Sequence, residues 1–405
     1  MVTHTNSASH GANHATIHAD IVVLGGGLNG AALVAALRHT AYNVVLVEPR
    51  PPSMPSEAWD NRIYAYSPGN VAWLKSLGAW NEPIRAQAVH QMRIHGDTNG
   101  RLTFDALDAG LSELAWIAEN NRLQWSLWQS WQDSPNVRVI EGVTESVTWG
   151  GTDKNLGEAH QLHLADGTTL SASLLVAADG AHSWLRQQAG IEVDVEDYKH
   201  IGVVANFETE RPHRGVAYQW FRPDGVLAYL PLTGNRISIV WSTPPEHAAE
   251  LQSLSLTALA EKVAEAGEHV LGALTAVTPA AGFPLIRRRA REWVRPGLVL
   301  LGDTAHTVHP LAGQGVNLGF RDSRLLAEML STGGSAHNSP GEFSRLQSYA
   351  ARRREDVVSM QFTTGSLKKL FARPDGLTQA LRNTGMNLTQ MFEPLNQALT
   401  RHAIL

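Results

Sequence analysis

The sequence predicts an α/β chain: a nucleotide-binding layer around a parallel sheet, an antiparallel sheet inserted into it, and a helical carboxyl-terminal segment. Three observations predict it. A strand at 20–24 runs into Gly25, Gly26, Gly27, Leu28, Asn29 and Gly30, a GxGxxG pattern followed by an alanine-rich helix and a second strand at 43–47. Two further apolar runs, 174–178 and 298–301, lead into Asp179 and Asp303, at strand carboxyl ends where open α/β sheets bind ligands. Between those runs, parts of 200–286 alternate apolar and polar residues around turns at Asp224–Gly225 and Gly234–Asn235, the pattern of an antiparallel sheet.

Composition narrows the function. With 405 residues, 43% hydrophobic and 18% charged, the chain can bury two domain-sized cores. A formal net charge of -5 argues against nucleic acid as a partner. The absence of cysteine excludes disulfides, thiolate catalysis and iron–sulfur ligation, and is compatible with a cytoplasmic setting. No apolar run approaches the roughly 18 residues of a membrane span, so any bilayer contact is expected to be peripheral.

Taken in order, residues 1–18 are polar and His-rich and read as a disordered tail. In the glycine loop, Gly25 allows a tight turn, Gly27 lets a pyrophosphate approach the backbone, and Gly30 permits close helix-to-strand packing. Glu48 lies 23 residues after Gly25, where a carboxylate can bind both hydroxyls of an adenosine ribose. After a proline-rich loop, Arg62 could reach a pyrophosphate, and Ser67–Pro68 starts a helix running to about Leu77. A hairpin at 89–104 turns at 96–100, and Asn120 or Asn121 caps a helix whose Trp125, Trp128 and Trp131 read as core. Strands at 137–140 and 145–149 precede a hairpin about Asp166–Gly167. A helix at 245–266 is expected to lie across the antiparallel sheet. The run Arg287, Arg288, Arg289 and Arg291 reads as a solvated strand face, with an anion dock as the lesser reading.

Past Asp303, Pro310, Gly313 and Gly315 break the chain before a helix begins near Val316, whose free N–H groups suit an anion or a ring that becomes anionic. Residues 331–341 read as a linker and 342–405 as helices, with a core-facing stripe at Leu388, Met391, Phe392, Leu395 and Leu399.

These pieces resemble a family. The glycine unit closed by an acid, LLVAADGAHSWLR from Leu174 and VLLGDTAHTVHPLAGQGVNLGFRD from Val299 look like the single-component, FAD-dependent aromatic hydroxylases. HPLAGQGVNLG from His309, WDNRIYAYSPGNVAWLKSLGAW from Trp59 and ELAWIAEN from Glu113 resemble the ubiquinone-biosynthesis members. The resemblance implies a Rossmann-like FAD-binding domain (19–85, 112–195 and 290–335), an inserted substrate-binding β-sheet domain (86–111 and 196–289) and carboxyl-terminal helices (340–405). It implies that Gly25, Gly27, Gly30 and Glu48 hold the ADP half of FAD, that Arg62 and Asp179 lie near the pyrophosphate, that Asp303 binds the ribityl chain, and that Gly315 and Asn317 set backbone against the flavin ring. One position departs: Asn121 stands where family members often carry Arg, with Arg122 beside it.

The implied reaction uses NAD(P)H to reduce FAD, O2 to form a flavin C4a-hydroperoxide, and that oxygen to hydroxylate a prenylated phenol or quinol ring in a dry pocket. His309 and Gln314 are candidates for assisting the ring hydroxyl or the peroxide. His306 and His309 have metal-like spacing without a third ligand nearby, so no metal is expected. Other ubiquinone-biosynthesis proteins and the inner face of a membrane are implied as partners. A soluble aromatic-compound hydroxylase of another pathway, or a non-catalytic flavoprotein scaffold, stays open; a halogenase lacks its WxWxIP-type motif here.

Overall fold

A computed structural model describes residues 16–81, 84–97, 99–150, 159–308, 315–332 and 339–372. Thr16–Leu24 is the opening strand, so ordered structure begins before the expected end of the tail at residue 18. The reason is a partner: Thr16, Ile17 and His18 pair in register with Thr169, Leu170 and Ser171. The polar composition of the tail did not reveal it.

The nucleotide-binding layer is a sheet whose central path runs from Leu298–Leu300 through Thr169–Ala177, Thr16–Leu24 and Val44–Val47 to Val137–Ile140, all parallel. Its central strands are apolar on both faces because both are covered, one by helices and the other largely by the antiparallel strands His160–Leu164 and the start of Thr169–Ala177. Leu28–Leu37 carries eight buried residues of ten, four of them alanine or glycine, which lets the helix lie close to the sheet. Gly315–Thr332 and Asn120–Gln129 pack beside it, and Phe343–Ala372 lies on Gly315–Thr332. Two of the three clustered tryptophans are core: Trp128 and Trp131 are buried with ring centroids 5.0 Å apart, while Trp125 is only half-buried.

The inserted sheet is antiparallel except where Val216–Arg222 pairs in parallel with Gln91–His95 of the 91–105 hairpin. Its longest strand is Val193–Thr209. The expected single helix at 245–266 is two, Pro245–Ser253 and Leu256–Ala266. Leu254 is extended, and the Ser255 side chain accepts the Ala258 N–H to start the second helix, a capping signal hidden inside an otherwise helical pattern. Gln87–Val89 belongs to neither large sheet. It joins Ala115–Glu119 and Ile63–Tyr66 in a three-stranded sheet that bridges the two layers.

The arginine run lies on Ala281–Ala290 and just beyond, and divides by strand alternation. Arg287 and Arg289 reach Glu196 and Asp194, and Arg291 reaches Glu192 and Asp194. Arg288, between them in the alternation, makes no ion pair among the described residues. The apolar stripe 388–399 lies outside those residues.

Candidate functional site

The parallel register stacks four strand ends on one rung: Leu24 pairs with Val47 and with Ala177, and Ala177 pairs with Leu300. One to three residues past that rung come Gly25, Glu48, Asp179 and Asp303. Four groups spread over nearly 280 residues of chain are thereby gathered along the carboxyl edge of one sheet.

Each glycine of the loop has its own local reason. Gly25 has φ +100, and a Cβ there would lie 2.4 Å from the Ala178 carbonyl oxygen. At Gly30 a Cβ would lie 2.0 Å from the Gly25 oxygen, whereas at Gly27 it would meet nothing within 4 Å. The loop is sealed at its back and open at Gly27. Glu48 closes one side, taking the Gly26 N–H at 2.7 Å on one oxygen and the Arg50 N–H at 3.0 Å on the other. Each oxygen keeps a further lone pair for a hydroxyl.

Gln124, overlooked in the sequence, and Trp128, read there only as core, hold the loop from the helix Asn120–Gln129. Gln124 Nε2 and Trp128 Nε1 both donate to the Gly26 carbonyl, each at 2.9 Å. Beside them, the helix start has no arginine for a ligand: Arg122 hydrogen-bonds buried Glu119 and the Ser56 carbonyl, while the Asn121 Oδ1 is sealed without a partner. Arg62 is exposed, its guanidinium makes no ion pair among the described residues, and its carbonyl accepts the Asn120 N–H. Asp179 is used locally. One of its oxygens takes the Leu185 N–H at 3.1 Å, and the other faces Thr304 Oγ1 at 3.5 Å.

Asp303 is exposed to solvent at the strand end, with protein packed densely around its base. That enclosure raises its carboxyl above the ordinary carboxylate value, Asp322 adds to the rise, and His306 and Arg288 oppose it. The Tyr64 phenol is raised by its own burial and further by Asp303, with Arg62 opposing, so Asp303, Tyr64 and Arg62 share one electrostatic neighbourhood.

Behind Asp303 lies a buried network that the sequence reading missed. Asp322 takes the Gly302 N–H at 3.0 Å and faces His306 Nε2 at 2.7 Å on one oxygen, and takes Arg353 Nε at 2.6 Å on the other. His306 is thus committed to Asp322, its ring tilted against Trp293 with centroids 5.1 Å apart. Asn29 forms a second buttress, its amide wedged where a Cβ on Gly302 or Gly319 would fall, 2.2 Å away in both cases. The Asn317 side chain is likewise structural. Its Oδ1 accepts from Ser67 N and Asn70 Nδ2 at 2.9 Å, and its Nδ2 donates to Ala65 O at 2.9 Å, tying the start of Gly315–Thr332 to the three-stranded sheet. His309 and Gln314 lie outside the described residues. Among those described, no group of three His, Cys, Asp or Glu could hold a metal.

A glycine loop sealed behind and open in front, a ribose-type acid beside it, and a second carboxylate at the far strand end of the same edge define a dinucleotide-binding protein. The comparisons agree. The family described as FAD binding domain matches residues 18–363. The 3-demethoxyubiquinol 3-hydroxylase of Escherichia coli is 32% identical over 392 residues, covering 95% of this chain and 98% of that protein. The mitochondrial ubiquinone biosynthesis monooxygenase COQ6 of Mus musculus is 32% identical over 95% of this chain and 90% of its own length. Among solved structures, Pseudomonas aeruginosa PqsL in complex with 2-aminobenzoylacetate superposes with a TM-score of 0.74 at 22% identity, covering 88% of this chain and 97% of that one. The chain belongs to the FAD binding domain family, with ubiquinone-biosynthesis hydroxylases among its relatives.

Proposed function

We propose that this chain is an NAD(P)H- and O2-dependent monooxygenase that hydroxylates the aromatic ring of a polyprenylated phenol or quinol in ubiquinone biosynthesis. The observation that carries the reading is the face the inserted sheet turns away from its two covering helices. Val204, Val226, Ala228 and Val240 form a half-exposed, uncharged floor there, suited to a neutral ring with a hydrocarbon tail.

The residues present fit FAD. Gly27 leaves the space a pyrophosphate needs, Glu48 keeps acceptor capacity for a ribose, and the ionised form of Asp303 can accept hydroxyls of a polyol chain. Bound FAD supplies the electron transfer and oxygen activation. The chain's own part is binding, orientation and exclusion of water. Gly25, Gly27, Gly30 and Glu48 would hold the ADP half, and Arg62 would offer its exposed guanidinium to the pyrophosphate. Asp179 orders the neighbouring turn through the Leu185 N–H. Gly315 and Asn317 would set the N-terminal backbone of Gly315–Thr332, with its partial positive charge, toward the ring. His309 and Gln314 are our candidates for assisting the substrate hydroxyl.

No helix among the described residues is long and apolar enough to cross a membrane. A prenylated substrate partitions into lipid, so we place the protein peripherally on a membrane, beside other ubiquinone-biosynthesis proteins. The test is substrate-stimulated NAD(P)H oxidation by FAD-loaded protein. Short-prenyl phenols should accelerate oxidation and yield a hydroxylated product, whereas no acceleration by any of them would remove the enzymatic reading in favour of a scaffold.

A further inference from the structure

Strand alternation sorts the inserted sheet into two faces. Phe207, Trp220, Tyr229 and Trp241 turn toward the helices Pro245–Ser253 and Leu256–Ala266 and form a closed core. The alternate residues face the other way. One rank crosses six strands on that face: Val204 pairs with Val240, Val240 with Ala228, Ala228 with Gln219, Gln219 with Ile94 and Ile94 with Leu102. At about 4.8 Å per strand the rank spans roughly 24 Å.

Five of the six are apolar, and each of those five is partly exposed. Gln219 is the exception twice over. It is 6% exposed, and its amide makes no hydrogen bond among the described residues. Nor is that amide walled in. In the neighbouring rank the oxygens of Asn206 and Ser238 are sealed without a partner, whereas the polar atoms of Gln219 are not. A nearly buried amide without a protein partner is costly, on the order of 1–3 kcal/mol, unless a ligand or water satisfies it. An amide offers both a donor and an acceptor, so it can serve a ring hydroxyl, carbonyl or ether oxygen. A carboxylate would gain no cation on this rank.

We infer that Gln219 sets substrate specificity: its amide hydrogen-bonds an oxygen on the ring of the bound phenol, while Ala228, Val240 and Ile94 on either side receive hydrocarbon. The inference rests on the function proposed above and names the polar contact within that site.

The experiment compares two ligands and two proteins. FAD-loaded wild type and Gln219→Leu are titrated with a short-prenyl phenol and with the matching prenylbenzene, which lacks the ring oxygen, following the perturbation of flavin absorbance. Wild type should favour the phenol by roughly 5- to 10-fold, the worth of one hydrogen bond. In Gln219→Leu the preference should fall to near unity through weaker phenol binding, with prenylbenzene bound as well as before or better. A preference that survives the substitution overturns the inference. If Gln219→Leu loses flavin or melts early, Gln219→Met, closer in length, gives the same comparison. If wild type binds neither ligand, the proposed function falls and the inference falls with it.

Discussion

Gly27 and Gly30 sit three residues apart in one loop and meet opposite surroundings. A Cβ at Gly30 would press to 2.0 Å of the Gly25 oxygen and 3.2 Å of the Ala178 Cβ, both held by the sheet behind. A Cβ at Gly27 would enter open space. Gly30→Ala should therefore destabilise the protein by about 1–3 kcal/mol or more whether or not FAD is present. Gly27→Ala should leave the urea midpoint of the flavin-free protein unchanged while weakening FAD binding at least tenfold, measured by quenching of flavin fluorescence. If Gly27→Ala unfolds as easily as Gly30→Ala, the two roles are not separate. The tight packing at Gly30 and the open space at Gly27 were readable in the sequence because GxGxxG is a local pattern in which spacing alone assigns each glycine. The role of Asn29, inside the same motif, was not. Its wedge against Gly302 and Gly319 depends on residues more than 270 positions away, and nothing in the loop announces it.

Between elements, a buried ion-pair network joins Gly315–Thr332 to Phe343–Ala372 beneath the Gly302–Asp303 turn. Asp322 and Arg353 are both buried, and Arg353 also donates to Asp356 at 2.6 Å and to the Leu318 carbonyl at 3.3 Å. Burial alone would raise the Asp322 carboxyl, but His306 and Arg353 more than offset it and hold it below the ordinary carboxylate value. A depressed folded value gives stability that is full above the unfolded carboxyl pKa, about 3.9, and is lost as pH falls through the folded value. Arg353→Met should cost about 3–5 kcal/mol near neutral pH, because Asp322 keeps its charge and loses a partner. Its acid unfolding, followed by circular dichroism, should begin at higher pH than in wild type. Arg353→Lys should recover part of the loss. An Arg353→Met protein with unchanged stability would show that the pair is not holding the helices together. Helix existence was legible here from apolar spacing, yet the pairing was not, since Asp322 reads as one more charge on an amphipathic helix. The break at Leu254–Ser255 escaped for a related reason: one capping serine outweighed a pattern that otherwise continues through it.

At the scale of the molecule, the parallel layer was legible from the glycine motif and its apolar runs, and the antiparallel layer from its alternation. The substrate floor was not, because which face of a strand is covered depends on helices elsewhere in the chain. The same long-range assembly makes FAD binding and folding one equilibrium. Gly25, Glu48, Asp179 and Asp303 are neighbours only when the sheet is complete, so FAD bound to the folded chain alone stabilises it by RT ln(1 + [L]/Kd), about 2.7 kcal/mol at a hundredfold excess over Kd. Asp303 acts in the opposite sense when the cofactor is absent. Its carboxyl is raised in the folded chain, so holding it ionised there disfavours folding. That penalty is full above the folded pKa and vanishes below the ordinary carboxyl value. Asp303→Asn keeps the shape and removes the charge. Flavin-free Asp303→Asn should thus melt higher than flavin-free wild type at neutral pH, with the gap closing as the buffer is taken toward pH 4. With excess FAD the order should reverse, because the variant gains less from the cofactor and purifies with less of it. A flavin-free variant that melts below wild type at neutral pH would contradict the electrostatic account. A variant that purifies fully yellow would contradict the placement of Asp303 at the ribityl chain.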